Sequence, residues 1–178
     1  MRSSKSFVFL LFVLILGMKS AALGQEPLFK EYPIVVIQEL DVPSGNPAPA
    51  TTGAQMAERI VNQLQRYSQK FNLFEAVVKE GGKEIPAEKK VLLIKGTVKE
   101  FTQPTLRRRI GRSLIPGGEF TGSAAFSAHY QFIDQESGKV IYETDLRTTS
   151  TGSNDTVEYA MERNGEALAK LITKYKGK

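Results

Sequence analysis

Between Ser123 and Asp134, Ala124, Phe126, Ala128, Tyr130 and Phe132 take alternate positions, with Ser123, Ser127, His129 and Gln131 between them. A period of two marks an extended strand, because successive side chains leave a pleated backbone on opposite sides. This strand is greasy on one side and wet on the other. It therefore belongs to a sheet with one solvated face, and helices must pack on the other face alone.

The remaining segments supply the partners. Tyr32–Leu40 (YPIVVIQEL) is β-branched and opened by a proline, as a buried strand is. A loop with three prolines follows. Thr52 then stands three residues before Gln55, the spacing of a capping box, and Met56, Ile60, Leu64, Tyr67 and Phe71 recur at helical spacing, which predicts an amphipathic helix over 53–70. LFEAVVKE is a second strand and VLLIKGTVKEF (Val91–Phe101) a third. A strand, helix, strand order favours a right-handed crossover onto one sheet. After the alternating strand, DQESGK reads as a hairpin turn with Gly138 at the positive backbone angle, and VIYETDLRTTS as the returning strand.

Asp155 and Glu158 have capping-box spacing before a second helix, whose stripe runs Val157, Ala160, Met161, Asn164, Leu168, Leu171, Ile172 and Tyr175. Asn164 alone breaks it and is expected at the edge of the face. The expected fold class is α+β: a two-layer sandwich, a mixed sheet of about five strands with two amphipathic helices on one face.

The amino terminus reads as an address. Arg2 and Lys5 precede an apolar run, Phe7–Leu16, and Ala22 and Gly24 stand two apart as a signal peptidase requires. This assigns residues 1–24 to a signal peptide and 25–178 to a single domain, periplasmic or secreted; an uncleaved anchor is the alternative. The run is shorter than the roughly 20 residues a spanning helix needs. There is no cysteine, hence no disulfide, and Gln25 stands where a lipoprotein would carry its lipid-bearing cysteine. With Arg2, Lys5 and Lys19 removed and no acid lost, 24 basic and 19 acidic residues become 21 and 19, a net charge of +2. That is too weak for a nucleic-acid partner, which export also disfavours.

The catalytic inventory is bare. His129 is the single histidine and falls on the wet side of its strand. Without cysteine or a second histidine the common zinc constellations cannot be built, and no spacing suggests a cofactor. Glu39 with Asp41, and Glu143 with Asp145, each share a strand face and are the carboxylate pairs a hydrolase reading would use; that reading needs a walled cleft. The expectation is a protein that is not an enzyme.

Positive charge is concentrated in TLRRRIGRSLIPGG, residues 105–118, and in the tail Lys170, Lys174, Lys176 and Lys178. Arg107, Arg108, Arg109 and Arg112 are candidates for an anionic partner, lipid or polysaccharide, while Gly117 and Gly118 mark a structural bend. The bland alternative is that Leu106, Ile110 and Leu114 cover the sheet end while the arginines stay wet.

The second half also resembles a bacterial envelope family of unknown function, many of whose members are lipoproteins. The resemblance rests on Gly96, Val98 and Phe101, then Arg112, Gly117 and Gly118, then Asp134, Ser137, Gly138, Lys139 and Val140. The order of elements is distantly similar to the curli-secretion lipoprotein, the penicillin-binding-protein activator lipoprotein and the amino-terminal domain of TolB. These resemblances imply docking and assembly with an envelope protein partner, without naming it or fixing an oligomeric state. Arg107–Arg109 are an addition to the family's bend.

Overall fold

The computed structural model describes residues 27–82, 86, 88–104, 123–150 and 155–178. Residues 1–24, expected as a signal peptide, and residues 105–118 lie outside them. Five strands and two helices follow in chain order: β1 (Ile34–Ile37), α1 (Thr52–Phe71), β2 (Ala76–Lys79), β3 (Val91–Thr102), β4 (Ala125–Asp134), β5 (Val140–Thr149) and α2 (Val157–Tyr175). The sheet runs β2-β1-β3-β4-β5. β1 pairs in parallel with β2 and β3, while β4 and β5 return antiparallel. This is the two-layer mixed-sheet sandwich expected from the alternation.

The core lies between helices and sheet. Phe126, Ala128, Tyr130 and Phe132 of β4 meet Met56, Ile60 and Leu64 of α1 and Met161, Leu168 and Ile172 of α2, all nearly inaccessible to water. The other sheet face is not uniformly wet. Ile34, Val36 and Val91 form a second small apolar cluster there, packed by Ala76, Val78 and Leu93. β1 is buried on both faces, by the helices on one and by apolar side chains of β2 and β3 on the other, which is why it reads as an unbroken β-branched run.

The family-like motifs turn out to be architecture. A Cβ on Gly96 would crowd the Leu40 side chain and the His129 carbonyl, so this glycine lets Leu40 lie on the sheet. Val98 and Phe101 are three apart, yet both face the core; a β-bulge between Val98 and Glu100 absorbs the odd residue. Asp134 Oδ1 accepts from the Ser137 amide and hydroxyl, each at 2.8 Å, and Gly138 takes φ 69°. Asp134 Oδ2 accepts from the Tyr32 hydroxyl at 2.8 Å, tying the hairpin turn to the residues before β1.

These bonds hold the Asp134 carboxyl down at about 2, the Ser137 amide contributing most, while burial and then Asp134 push the Tyr32 phenol up to about 12. A lowered folded-state pKa gives stability that is present above the ordinary value of 3.8 and lost as pH falls toward 2. The stability difference between wild type and Asp134→Asn, from urea midpoints, should therefore shrink between about pH 4 and about pH 2. A constant difference would refute the assignment.

Three local expectations need correction. Helix α1 begins with Thr51 at the cap and no side-chain cap bond; Gln55 reaches only the Thr51 hydroxyl, at 3.5 Å. Thr52 is instead buried in the first turn, because that turn is pressed on Leu40 through Gly53. At α2 the cap is Thr156, whose hydroxyl accepts from the Tyr159 amide at 3.2 Å. Asp155 is drawn inward, accepting from the Ala124 amide at 2.8 Å and the Ser150 hydroxyl at 3.1 Å.

Asn164 is the third correction. It is fully buried, not at the edge of the stripe. Its Oδ1 accepts from the Tyr130 hydroxyl at 2.7 Å, and its Nδ2 donates to the Leu146 carbonyl at 3.0 Å and to Thr148 Oγ1 at 3.3 Å. A buried amide survives in an apolar interface when its donors and acceptor are met, and here they are.

Candidate functional site: the open face of the sheet

With both helices on one side, β3, β4 and β5 turn their other side to water. Register sets three rows across these strands: Lys95, Gln131 and Glu143; Thr97, His129 and Asp145; Glu100, Ser127 and Arg147. The alternation of β4 supplies the middle residue of each row, and the bulge in β3 brings Glu100 into line.

The rows hold fixed polar groups. Arg147 grips Glu100 bidentately, Nε to Oε2 at 2.7 Å and the terminal nitrogen to Oε1 at 3.1 Å. That guanidinium keeps the Glu100 carboxyl below the usual range. His129 Nδ1 meets Asp145 Oδ1 at 3.0 Å, and Glu143 stands 3.8 Å from Nε2. The two carboxylates flank opposite ring nitrogens and so cannot converge with the ring on one ion. Among the described residues no group of three or more potential ligands could hold a metal.

Both hydrolase candidates of β5, Glu143 and Asp145, stand in water, with side chains 60 % and 72 % exposed. Both lie beside His129 on the exposed strand face, and Glu39 is engaged by Lys79 at 2.7 Å. His129 is part of a paired row, not an isolated surface residue. Arg107, Arg108, Arg109, Arg112, Gly117 and Gly118 lie outside the described residues. On either side of that stretch, Thr102 at the end of β3 pairs with Ala125 at the start of β4.

The Glu100–Arg147 pair was not anticipated. Its residues are 47 apart in sequence and join only through β4 and the bulge. The chemistry this face offers is recognition: ordered donors and acceptors on a broad surface, with Lys95 and Lys99 exposed beside them. No helix among the described residues is long and apolar enough to cross a membrane.

No family model matches the chain, and no curated protein does. Solved structures do share its fold. The PelC dodecamer from Paraburkholderia phytofirmans matches with a TM-score of 0.56 at 14% identity, over 86% of this chain and 94% of that one. A leucine-to-methionine variant of the same dodecamer gives 0.53 at 13% identity, over 82% and 88%. Protein XCC0632 from Xanthomonas campestris, of the domain-of-unknown-function family DUF330, gives 0.51 at 10% identity, over 80% and 84%. At these identities the likeness is one of fold, and it spans nearly the whole of each relative. The likeness to the curli-secretion lipoprotein, the activator lipoprotein and TolB stays at the level of sequence.

Proposed function

We propose that the chain is an exported, non-catalytic adaptor or assembly domain of the bacterial cell envelope, and that its open sheet face is the surface that meets a protein partner. One observation carries this reading. No described helix covers the outer side of β3, β4 and β5, and that side carries polar and charged rows held in register. Ordered side chains lose less entropy on binding than mobile ones, which favours recognition.

PelC, which shares the fold, assembles as a dodecamer, so a second copy of this chain is the first partner to look for. Capture from an envelope extract tests the proposal, comparing wild type with a Lys95→Glu, Arg147→Glu double variant. A partner retained by wild type and lost by the folded variant is the expected result. No partner, together with turnover of a glycan or ester substrate, would overturn it.

A second reading gives Arg107, Arg108, Arg109 and Arg112 an anionic lipid or polysaccharide, on the strength of four guanidinium groups within six positions. Replacing all four by glutamine should abolish salt-sensitive binding to such a ligand; unchanged binding rules the loop out.

A further inference from the structure

The elements end at two poles, and the poles differ in chemistry. β1, β2, β3 and β5 begin at the pole where β4, α1 and α2 end, as their pairing directions and connections require. Backbone contacts confirm that these ends meet. The Phe29 amide donates to the Tyr175 carbonyl at 3.0 Å, and the Glu75 amide to the Pro33 carbonyl at 2.8 Å. Lys176 Nζ donates to the carbonyls of Phe29, Lys30 and Tyr32 at 3.0, 3.2 and 2.6 Å.

Four large apolar side chains are exposed among the described residues, and three of them stand at this base. Leu28 precedes β1, Phe71 ends α1 and Val140 opens β5; the fourth, Tyr159, is in the first turn of α2 at the other pole. Eight lysines share the base; Lys89, Lys90 and Lys176 are engaged there, which leaves five: Lys30, Lys70, Lys139, Lys174 and Lys178. None of them forms an ion pair among the described residues, while the nearby acids Glu31 and Glu75 are already engaged by Lys90 and Lys89. Lys70 Nζ lies 5.1 Å from the Phe71 ring centroid. Glu88, Asp134 and Glu136 share the base too and line a groove with Lys89 and Lys90, so among the described residues of this pole eight lysines face five acids.

The chain also enters the fold here. Phe29 is wholly buried, stacked on Phe132 with ring centroids 4.9 Å apart, which fixes the first described residues at the base. Exposed apolar side chains and unpaired ammonium groups at one pole match an anionic bilayer surface, where hydrocarbon reaches the headgroup region and lysines meet phosphates.

We propose that this base is a docking surface for the anionic headgroups of a membrane, leaving the open sheet face directed along it and the pole where β3 ends and β4 begins directed away. The proposal does not rest on the adaptor reading. Every core residue lies at or after Phe29, so residues 25–178 serve as the test protein.

Co-sedimentation uses vesicles of phosphatidylcholine with about one third phosphatidylglycerol, against phosphatidylcholine alone. Wild type should bind the anionic vesicles only and be released as ionic strength rises from about 0.1 M to about 1 M. Combining Lys30→Gln, Lys70→Gln, Lys174→Gln and Lys178→Gln should weaken binding about a hundredfold. Glutamine at Arg107, Arg108, Arg109 and Arg112 should leave it intact.

The native chain lacks cysteine, so single labels are clean. An environment-sensitive dye on Val140→Cys should shift blue with vesicles, and one on Tyr159→Cys should not. Equal binding by the lysine variant, loss in the arginine variant alone, or a shift at Tyr159→Cys and none at Val140→Cys would each overturn the proposal.

Discussion

Gly53→Ala should destabilise the domain by about 3 kcal/mol, read as a lowered urea midpoint with unchanged slope. The added methyl would overlap the Leu40 carbonyl oxygen, and its other near neighbours are also Leu40 backbone atoms. No side chain can rotate away, so relief requires moving α1 off the segment that follows β1. The Leu40 amide donates to the Gly53 carbonyl at 3.3 Å, and that bond would go as well.

Gly165→Ala is the matched control. It too is a buried helical glycine, but its Cβ would meet the nearest atoms, in Arg59 and Gln63, at 3.6–3.7 Å, ordinary contact distances. Relief of the glycine penalty in a helix should then make it neutral or more stable by up to about 1 kcal/mol. Opposite signs at two helical glycines would show that close backbone approach, and not helix propensity, fixes Gly53.

Asn164→Ala should cost about 3 kcal/mol, because it strands the buried Tyr130 hydroxyl and removes the donor to the part-buried Leu146 carbonyl. Tyr130 is wholly buried, and burial pushes its phenol well above the ordinary range, so it must stay protonated and needs an acceptor. Tyr130→Phe alone should cost less. The double variant should be about as stable as Asn164→Ala, since removing an already orphaned hydroxyl relieves a penalty. Additive losses would mean the two residues act separately.

The alternation of β4 fixed the architecture because side-chain period and solvation are read directly along the chain. Helix starts were less legible. Thr52–Gln55 and Asp155–Glu158 have the right spacing, but tertiary demands outweighed it: Leu40 claims the first turn of α1, and the Ala124 amide claims Asp155. Asn164 was misplaced because its partners, Tyr130 and Leu146, come from strands whose register the helix stripe does not reveal.

The candidate site followed the same division. Which face is wet could be read from Ser127, His129 and Gln131, and the Glu143–Asp145 spacing put both acids on one strand face. The Glu100–Arg147 clasp needed the β3 bulge. The base had a partial signal in the lysine tail, but its other members come from α1, β5 and the residues before β1, which only the fold brings together.

The most direct test of the adaptor reading is photo-crosslinking in living cells with a photoreactive residue at Thr97 or Gln131 on the open face, against Asn62 on the outer side of α1. The expected result is a discrete protein adduct, with this chain or another, from the two open-face positions and none from Asn62. Equal adducts from all three positions, or none from the open face, would contradict it.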